Sequence, residues 1–174
     1  MLDLIKTKQE LEDFGKYVVQ QARTNLTKGI GKKKKGSYNV NKRLYDSIIF
    51  YPIEETEKGL RIRFDMEDYG MFLDRGVRGK KGGKSLSGFS FKSKMPPREP
   101  IFEWAKKRRI KLRDEKGQFK KGWGTYKSIA FLIQRSIFRK GIKPSLFFTK
   151  PFYRAFDRLP KELAQALVND LITL

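Results

Sequence analysis

"TKQELEDFGKYVVQQARTNL", residues 7–26, is a long stretch in which apolar side chains recur at helical spacing over about four turns. These side chains are Leu11, Phe14, Val18, Ala22 and Leu26. Thr7 and Glu10 have the spacing of a capping box, which predicts that the helix begins there. Gly29 and Gly31 predict where it ends. We expect this helix to pack its apolar stripe on a sheet.

The residues that follow in the next apolar region predict a β-hairpin. "SIIFYPI", residues 47–53, is rich in β-branched and aromatic side chains, and "LRIRFDM", residues 60–66, alternates apolar with polar ones. The polar residues 54–59 between them supply the turn. Pro52 cannot donate a backbone hydrogen bond, so it predicts an edge strand or a bulge at that point.

The second half of the chain predicts helices that cover this sheet. Pro100 stands near the start of one helix, whose expected inward residues are Ile101, Trp104 and Ala105. A second helix within residues 125–142 ends at Gly141, and its expected buried residues are Ile129, Leu132, Ile133 and Ile137. The last segment predicts one helix, or a pair broken near Pro160. The predicted fold is α+β: one domain over residues 1–174, with a long N-terminal helix and a small antiparallel sheet under C-terminal helices.

The charge of the chain indicates a polyanionic partner. Its 174 residues include 40 Lys and Arg against 19 Asp and Glu, a formal charge of +21. Nucleic acid and an acidic protein surface both attract such a chain, and both remain open. The basic residues gather in three glycine-bearing loops, at about 28–43, 75–98 and 111–124, rather than on one amphipathic helix, which disfavours a membrane surface. Candidates in the first loop to face DNA or an acidic surface are Lys32, Lys33, Lys34, Lys35, Lys42 and Arg43.

The composition excludes several kinds of enzyme and metal site. With no Cys and no His, the chain cannot form a disulfide, a Ser-His-Asp triad or an HExxH zinc site. "GKKGGKS", residues 79–85, is one residue short of a P-loop and is followed by no predicted helix. The carboxylates Asp65, Glu67, Asp114 and Glu115 leave a magnesium-dependent nuclease as a third hypothesis, although the last two precede Gly117 in a polar loop. We predict no enzyme activity, no cofactor and no metal site.

Three segments between residues 69 and 148 carry a family resemblance. They are "YGMFLDRGVRG" at residues 69–79, "MPPREPIFEWAKKR" at residues 95–108, and "GIKP" at residues 141–144 followed by Phe147 and Phe148. Their order and spacing over most of the chain resemble those of the neck or tail-completion proteins of tailed bacteriophages.

The resemblance implies a structural virion protein, assembled in the host cytoplasm, that forms a ring joining portal or connector to the tail around the DNA exit channel. Its implied partners are copies of itself, in rings of six or twelve, the portal or connector and tail proteins, and as a candidate the DNA backbone in the channel. No membrane and no small-molecule substrate is implied. The alternative is a non-specific DNA-binding protein that acts as a monomer or dimer.

The resemblance also implies roles for individual residues. We expect Tyr69, Phe72, Leu73 and Trp104 in the core, and Gly76 in a left-handed conformation at a helix end. The loop at 75–98 is expected to be an assembly arm that becomes ordered only against neighbouring copies. Its expected contact residues with subunits or partners are Arg75, Arg78, Lys80, Lys81, Lys84, Phe89, Phe91, Pro97 and Arg98.

Overall fold

A computed structural model of the chain describes residues 4–28, 42–112, 116, 118 and 125–172. These residues form seven helices, α1 Ile5–Lys28, α2 Arg43–Ser47, α3 Tyr69–Arg75, α4 Arg98–Lys107, α5 Tyr126–Lys140, α6 Thr149–Phe156 and α7 Leu159–Ile172. They also form six short strands, β1 Ile49–Phe50, β2 Glu54–Thr56, β3 Gly59–Arg61, β4 Phe64–Asp65, β5 Val77–Arg78 and β6 Gly141–Ile142. The predicted α+β class, with its long N-terminal helix and C-terminal helices, is confirmed.

The contacts of the chain group it into two units. Unit 1 comprises Met1–Gly70 together with Leu146–Leu174, and unit 2 comprises Met71–Ser145. The chain leaves the first unit within α3 and returns to it just before α6. The prediction of a single domain over the whole chain stays a prediction.

The core of unit 1 lies where α1, the hairpin and the C-terminal helices meet. Its buried residues are Leu11, Phe14, Val18 and Leu159. Apolar side chains of the hairpin and of α6 and α7 pack against them, namely Ile53, Leu60, Ile62, Phe64, Phe148, Phe152, Ala155 and Leu163. The ring of Phe64 meets those of Phe148 and Phe152 edge to face, at 5.5 and 6.0 Å between centroids. The predicted packing of the long helix and a small sheet with C-terminal helices is therefore confirmed for α6 and α7. α4 and α5, which were also predicted to cover this sheet, belong to unit 2 instead.

The hairpin contains the irregularity that Pro52 predicts. β1 pairs with β4 and β2 pairs with β3, both antiparallel. Between the two paired regions, residues 51–53 of the first strand face only residues 62–63 of the second. One extra residue on one strand is a β-bulge, and a bulge accommodates a proline that has no N–H for the ladder.

The first turn of α1 is capped from the other end of the chain. The helix begins at Ile5, so Thr7 lies inside it, and the predicted capping box of Thr7 and Glu10 is wrong. The N–H of Lys6 donates to Asp170 Oδ1 at 2.9 Å. The N–H and hydroxyl of Thr7 donate to Asp170 Oδ2 at 2.9 and 2.7 Å. One buried carboxylate thus accepts hydrogen bonds from N–H groups that have no acceptor within the helix.

These hydrogen bonds shift the titration of Asp170. Desolvation by itself would raise its pKa, but the N–H and hydroxyl of Thr7, the N–H of Lys6 and the Lys6 charge hold the pKa below its ordinary value of 3.8. A carboxyl whose pKa is depressed by folding stabilises the folded state above that ordinary value. The stabilisation is lost as the pH falls through the lower pKa of the folded state.

Unit 2 is built around the pair α4 and α5. Its buried apolar residues are Val77, Ala105, Ile129, Ala130 and Phe138. β5 pairs antiparallel with β6, which follows α5 directly. Gly76 ends α3 at φ +76°, and Gly141 ends α5 at φ +80° with its N–H on the Ile137 carbonyl. Both helix ends occur at the predicted glycines.

Three residues predicted to be buried are instead exposed. Tyr69 is 46% exposed because α3 buries Gly70 and Asp74 instead. Trp104 is 41% exposed, since α4 turns the small Ala105 inward. Leu132 is 48% exposed because the buried face of α5 follows the series Ala130, Gln134 and Phe138. Ile101, Phe72, Leu73, Ile133 and Ile137 are partly buried.

We expect Asp170→Asn to lower the urea midpoint of unfolding at pH 7, because the amide replaces one acceptor of the cap with a donor and removes the charge. The difference from wild type should shrink as the pH falls below 3.8. Urea titrations monitored by circular dichroism at several pH values measure both. Glu57→Gln, at an exposed position of the hairpin turn, is the control and should leave the midpoint unchanged. Equal midpoints for wild type and Asp170→Asn at pH 7 would contradict the capping role.

Candidate functional site: a basic surface and an apolar helix face

The positive charge is concentrated in unit 2. Its 75 residues carry 22 Lys and Arg against five Asp and Glu, a formal charge of +17. Unit 1 has 18 against 14, a formal charge of +4. Unit 2 is therefore the unit that is expected to attract a polyanion.

The glycine- and lysine-rich segment of unit 2 folds against its own chain. The N–H groups of Lys80 and Lys81 donate to the carbonyls of Phe138 and Arg139, at 2.9 and 3.0 Å. These carbonyls belong to the last turn of α5, where a helix offers no internal donors. Residues 79–83 thus form a turn that caps the C-terminal end of α5, and we call it the capping turn.

Glycine is required where the capping turn meets the helix end. A Cβ on Gly79 would overlap the Gly141 nitrogen and the Arg139 carbonyl oxygen. A Cβ on Gly141 would overlap the Val77 carbonyl oxygen, and its φ of +80° is itself unfavourable for other residues. Gly79 and Gly141 therefore serve close backbone packing. The amides of Lys80 and Lys81 are occupied by α5 and do not form a phosphate cradle.

The chain beyond the capping turn is fixed as well. Arg78 donates its N–H to the Phe89 carbonyl at 2.9 Å, and Phe91 donates its N–H to the Arg78 carbonyl at 2.8 Å. The segment at 89–91 thus runs parallel beside β5. The hydroxyls of Ser85 and Ser87 both donate to the Gly76 carbonyl. The expectation that residues 75–98 become ordered only against neighbouring copies is wrong, because intrachain hydrogen bonds satisfy much of this backbone.

The predicted contact residues of this segment present their side chains in two ways. The exposed ones are Arg75, Arg78, Lys80, Lys81, Lys84, Pro97 and Arg98. Phe89 is 50% exposed, with its ring edge-on to Phe72 at 5.1 Å, while Phe91 is partly buried beside Phe138. None of the eight Lys and Arg side chains at 75–98 forms an ion pair within the described part of the chain. The folded backbone thus holds cationic side chains in solvent, and whether they contact subunits or partners stays a prediction.

Arg98 is held by a buried glutamine that the sequence analysis did not identify. Gln134 lies on the buried face of α5 and donates its amide to the Pro96 carbonyl at 2.6 Å. Its Oε1 accepts a hydrogen bond from Arg98 Nε at 3.3 Å. The guanidinium carbon lies 5.3 Å from the centre of the Phe131 ring. The signal for this site was a polar residue within the apolar series of α5.

The other predicted residues divide between described and undescribed parts of the chain. Lys32, Lys33, Lys34 and Lys35 lie outside the described residues, as do Asp114 and Glu115. Lys42 is exposed. Arg43 binds Glu67 through two nitrogens at 2.8 and 3.2 Å, and this hydrogen-bonded pairing raises the pKa of Arg43. Both charges are therefore partnered inside unit 1.

The described residues contain no group of three or more carboxylates that could hold a metal ion. A cleft of about 700 Å³ beside β1 is lined by Arg23, which donates to the carbonyls of Tyr45 and Ile48 at 3.0 and 2.9 Å. Its guanidinium is thus occupied by backbone acceptors. Among the helices that the structure describes, none has the length and hydropathy needed to cross a bilayer.

The outer face of α7 is apolar and was not recognised from the sequence. Leu159, Ala166 and Asp170 are buried, while Ala164, Leu167, Val168 and Leu171 are exposed at positions i, i+3, i+4 and i+7. Leu171 is 52% exposed. Residues 159–172 contain one Lys and two acidic residues, so this helix carries almost no net charge. We call Ala164, Leu167, Val168 and Leu171 the α7 face, and a contiguous exposed apolar stripe of this kind is typical of an interaction surface.

We expect the amide protons of Lys80 and Lys81 to exchange slowly in the isolated chain, because both are hydrogen-bonded to α5. Gly79→Ala should abolish this protection and destabilise the protein by about 2–4 kcal/mol, since the new Cβ overlaps backbone atoms. Amide exchange followed by NMR, together with urea unfolding, measures both effects. Gly82→Ala is the matched control: a Cβ there meets open space, and only its positive φ opposes the change, at about 1–2 kcal/mol. Fast exchange in the wild-type monomer would contradict the capping turn.

Comparisons with known proteins identify no relative of this chain. No family model, no curated protein and no solved structure matches the chain. A functional proposal for the protein therefore depends on its own residues and their arrangement, together with the resemblance of its sequence segments to phage neck proteins.

Proposed function

We propose that the protein is a non-enzymatic structural component of a tailed-phage virion, forming a ring at the neck that joins portal or connector to the tail around the DNA exit channel. The sequence resemblance at residues 69–79, 95–108 and 141–144 supports this assignment. The structural observation that carries it is the segregation of charge: unit 2 has a formal charge of +17, whereas α7 in unit 1 is nearly neutral and outwardly apolar.

This segregation answers a physical difficulty of assembling such a chain. Copies that each carry +21 repel one another, and contacts between like-charged surfaces are unfavourable. A contact between copies through the α7 face, which lies in unit 1, brings together helices that carry almost no net charge. Charge repulsion at this contact is therefore small.

A specific observation also favours the alternative, a non-specific DNA-binding protein that acts as a monomer or dimer. The cationic side chains at 75–98 are fixed on a folded backbone and make no ion pair within the described part of the chain. Such a surface binds the phosphate backbone without a ring. The two functions differ in whether portal and connector proteins are bound.

We expect purified protein to be captured by portal–connector complexes in a fixed stoichiometry, at both low and moderate salt, because the copies of the captured ring contact one another through the apolar α7 face. Mass measurement of the complexes gives the number of copies. Leu167→Lys should reduce capture, since it places a charge in the centre of the α7 face. Gln165→Lys adds the same charge at an exposed position of α7 outside that face, and it should be captured like wild type.

Two results would argue against the neck assignment. One is failure of the wild-type chain to bind portal–connector complexes at either salt concentration. The other is capture that disappears at moderate salt and is equally sensitive to Leu167→Lys and Gln165→Lys, which would indicate attraction by charge alone. Tight, salt-sensitive DNA binding alongside either result would favour the non-specific DNA-binding protein.

A further inference from the structure

α5 carries a row of cations along its exposed side. The helix has four Lys and Arg and no acidic residue. Lys127, Phe131, Arg135 and Arg139 follow one another at intervals of four residues, and all four are exposed. Side chains at this interval are neighbours on a helix surface, and each step advances about 6 Å along the axis. We call these four residues the α5 row.

The capping turn extends this row at its C-terminal end. The backbone N–H of Lys81 donates to the carbonyl of Arg139, and that of Lys80 to the carbonyl of Phe138. The side chains of Lys80 and Lys81 are exposed, and Lys80 Nζ lies 5.9 Å from the centre of the Phe138 ring. Two more cations are thereby fixed at the end of α5 by hydrogen bonds that do not involve their side chains.

Arg98 adds a cation near the middle of the row. Its guanidinium lies over the ring of Phe131, at 5.3 Å from the centroid. Gln134 is 7% exposed and accepts a hydrogen bond from Arg98 Nε, while its own amide is fixed by the Pro96 carbonyl. This hydrogen bond holds Arg98 through one nitrogen only. The two terminal nitrogens of the guanidinium remain available to bind two oxygens of a ligand.

We propose that the α5 row, together with Arg98, Lys80 and Lys81, binds the phosphate backbone of DNA without reading its sequence. The partner must be anionic, since the row contains no acidic residue. It must present its charges repeatedly along a line, which nucleic acid does by its covalent structure and an acidic protein surface does not. The exposed edge of Phe131 offers an apolar contact between the cations. The setting of this site around an exit channel rests on the proposed function, but the binding is a property of the single chain.

The test measures binding of the full chain to a random-sequence DNA duplex as a function of salt, by fluorescence anisotropy. Arg135→Gln combined with Arg139→Gln should weaken binding about tenfold at low salt. It should also reduce the slope of log K against log salt by about 1.8, because each lost phosphate contact removes about 0.9. Both side chains are exposed, so the fold should persist. Lys80→Gln combined with Lys81→Gln is a second variant with the same expected effect, since it leaves the backbone of the capping turn intact.

The matched control removes the same charge elsewhere. Lys58→Gln combined with Arg61→Gln changes two exposed side chains of the unit 1 hairpin and lowers the net charge equally. This control should leave the slope unchanged. An equal loss in control and test variants would overturn the proposal, because binding would then follow net charge alone.

Two further outcomes would overturn the proposal. One is absence of DNA binding by the wild-type chain at low salt. The other is tighter binding to poly-glutamate than to DNA at equal charge concentration, which would indicate an acidic protein partner. Failure of portal capture with DNA binding retained would refute the neck ring and leave this site standing. Portal capture without DNA binding would refute this site and leave the neck ring standing.

Discussion

The close approach of the Gly79 and Gly141 backbones sets the geometry of the basic surface in unit 2. Only glycine at these positions lets the capping turn reach the last carbonyls of α5. The contact satisfies helix-end acceptors and at the same time fixes Lys80 and Lys81 beside Arg139. β5 leads directly into this turn, and the segment at 89–91 is hydrogen-bonded to β5, so their positions depend on the turn as well. The capping turn has a composition that is typical of a flexible chain, but this contact makes it part of a folded surface.

The two units differ in how their charged side chains are paired. In unit 1, acidic and basic side chains neutralise each other, as in the pairs of Arg43 with Glu67 and Lys8 with Glu55. In unit 2, the cations at 75–98 point into solvent, where water and salt reduce their mutual repulsion. Surface ion pairs contribute little to stability, so leaving these side chains unpaired costs the fold little. The folded state of unit 2 therefore tolerates a charge that favours binding to a polyanion.

Residues close together in the sequence predicted a large share of this fold. The features that were missed depend on contacts between residues far apart in the sequence. The long helix, the bulge at Pro52 and the helix ends at Gly76 and Gly141 all follow from residues close together in the sequence. The cap of α1 could not be predicted in this way, because Asp170 lies 164 residues from Lys6. The capping turn depends on a distant helix end, so composition alone suggested disorder. α7 is apolar on two sides, and periodicity does not say which side packs. Of the candidate site, the sequence identified the cationic residues at 75–98 but neither Gln134 nor the row on α5.

The division of the chain also constrains the order in which the protein folds during synthesis. Unit 2 is one continuous segment, Met71–Ser145, so all of its partners have been made once α5 and β6 leave the ribosome. Unit 1 is interrupted: α1 and the hairpin are made first, but their core needs α6 and α7, which come last among the described helices. Until then α1 carries an uncovered apolar stripe, and the nascent hairpin lacks the aromatic side chains that pack on it. Domains generally fold as units during synthesis, and exposed apolar surface favours aggregation. Unit 2, the inserted and highly charged segment, is therefore able to fold first. Its charge favours solubility of the growing chain until α6 and α7 have been made and can complete the core of unit 1.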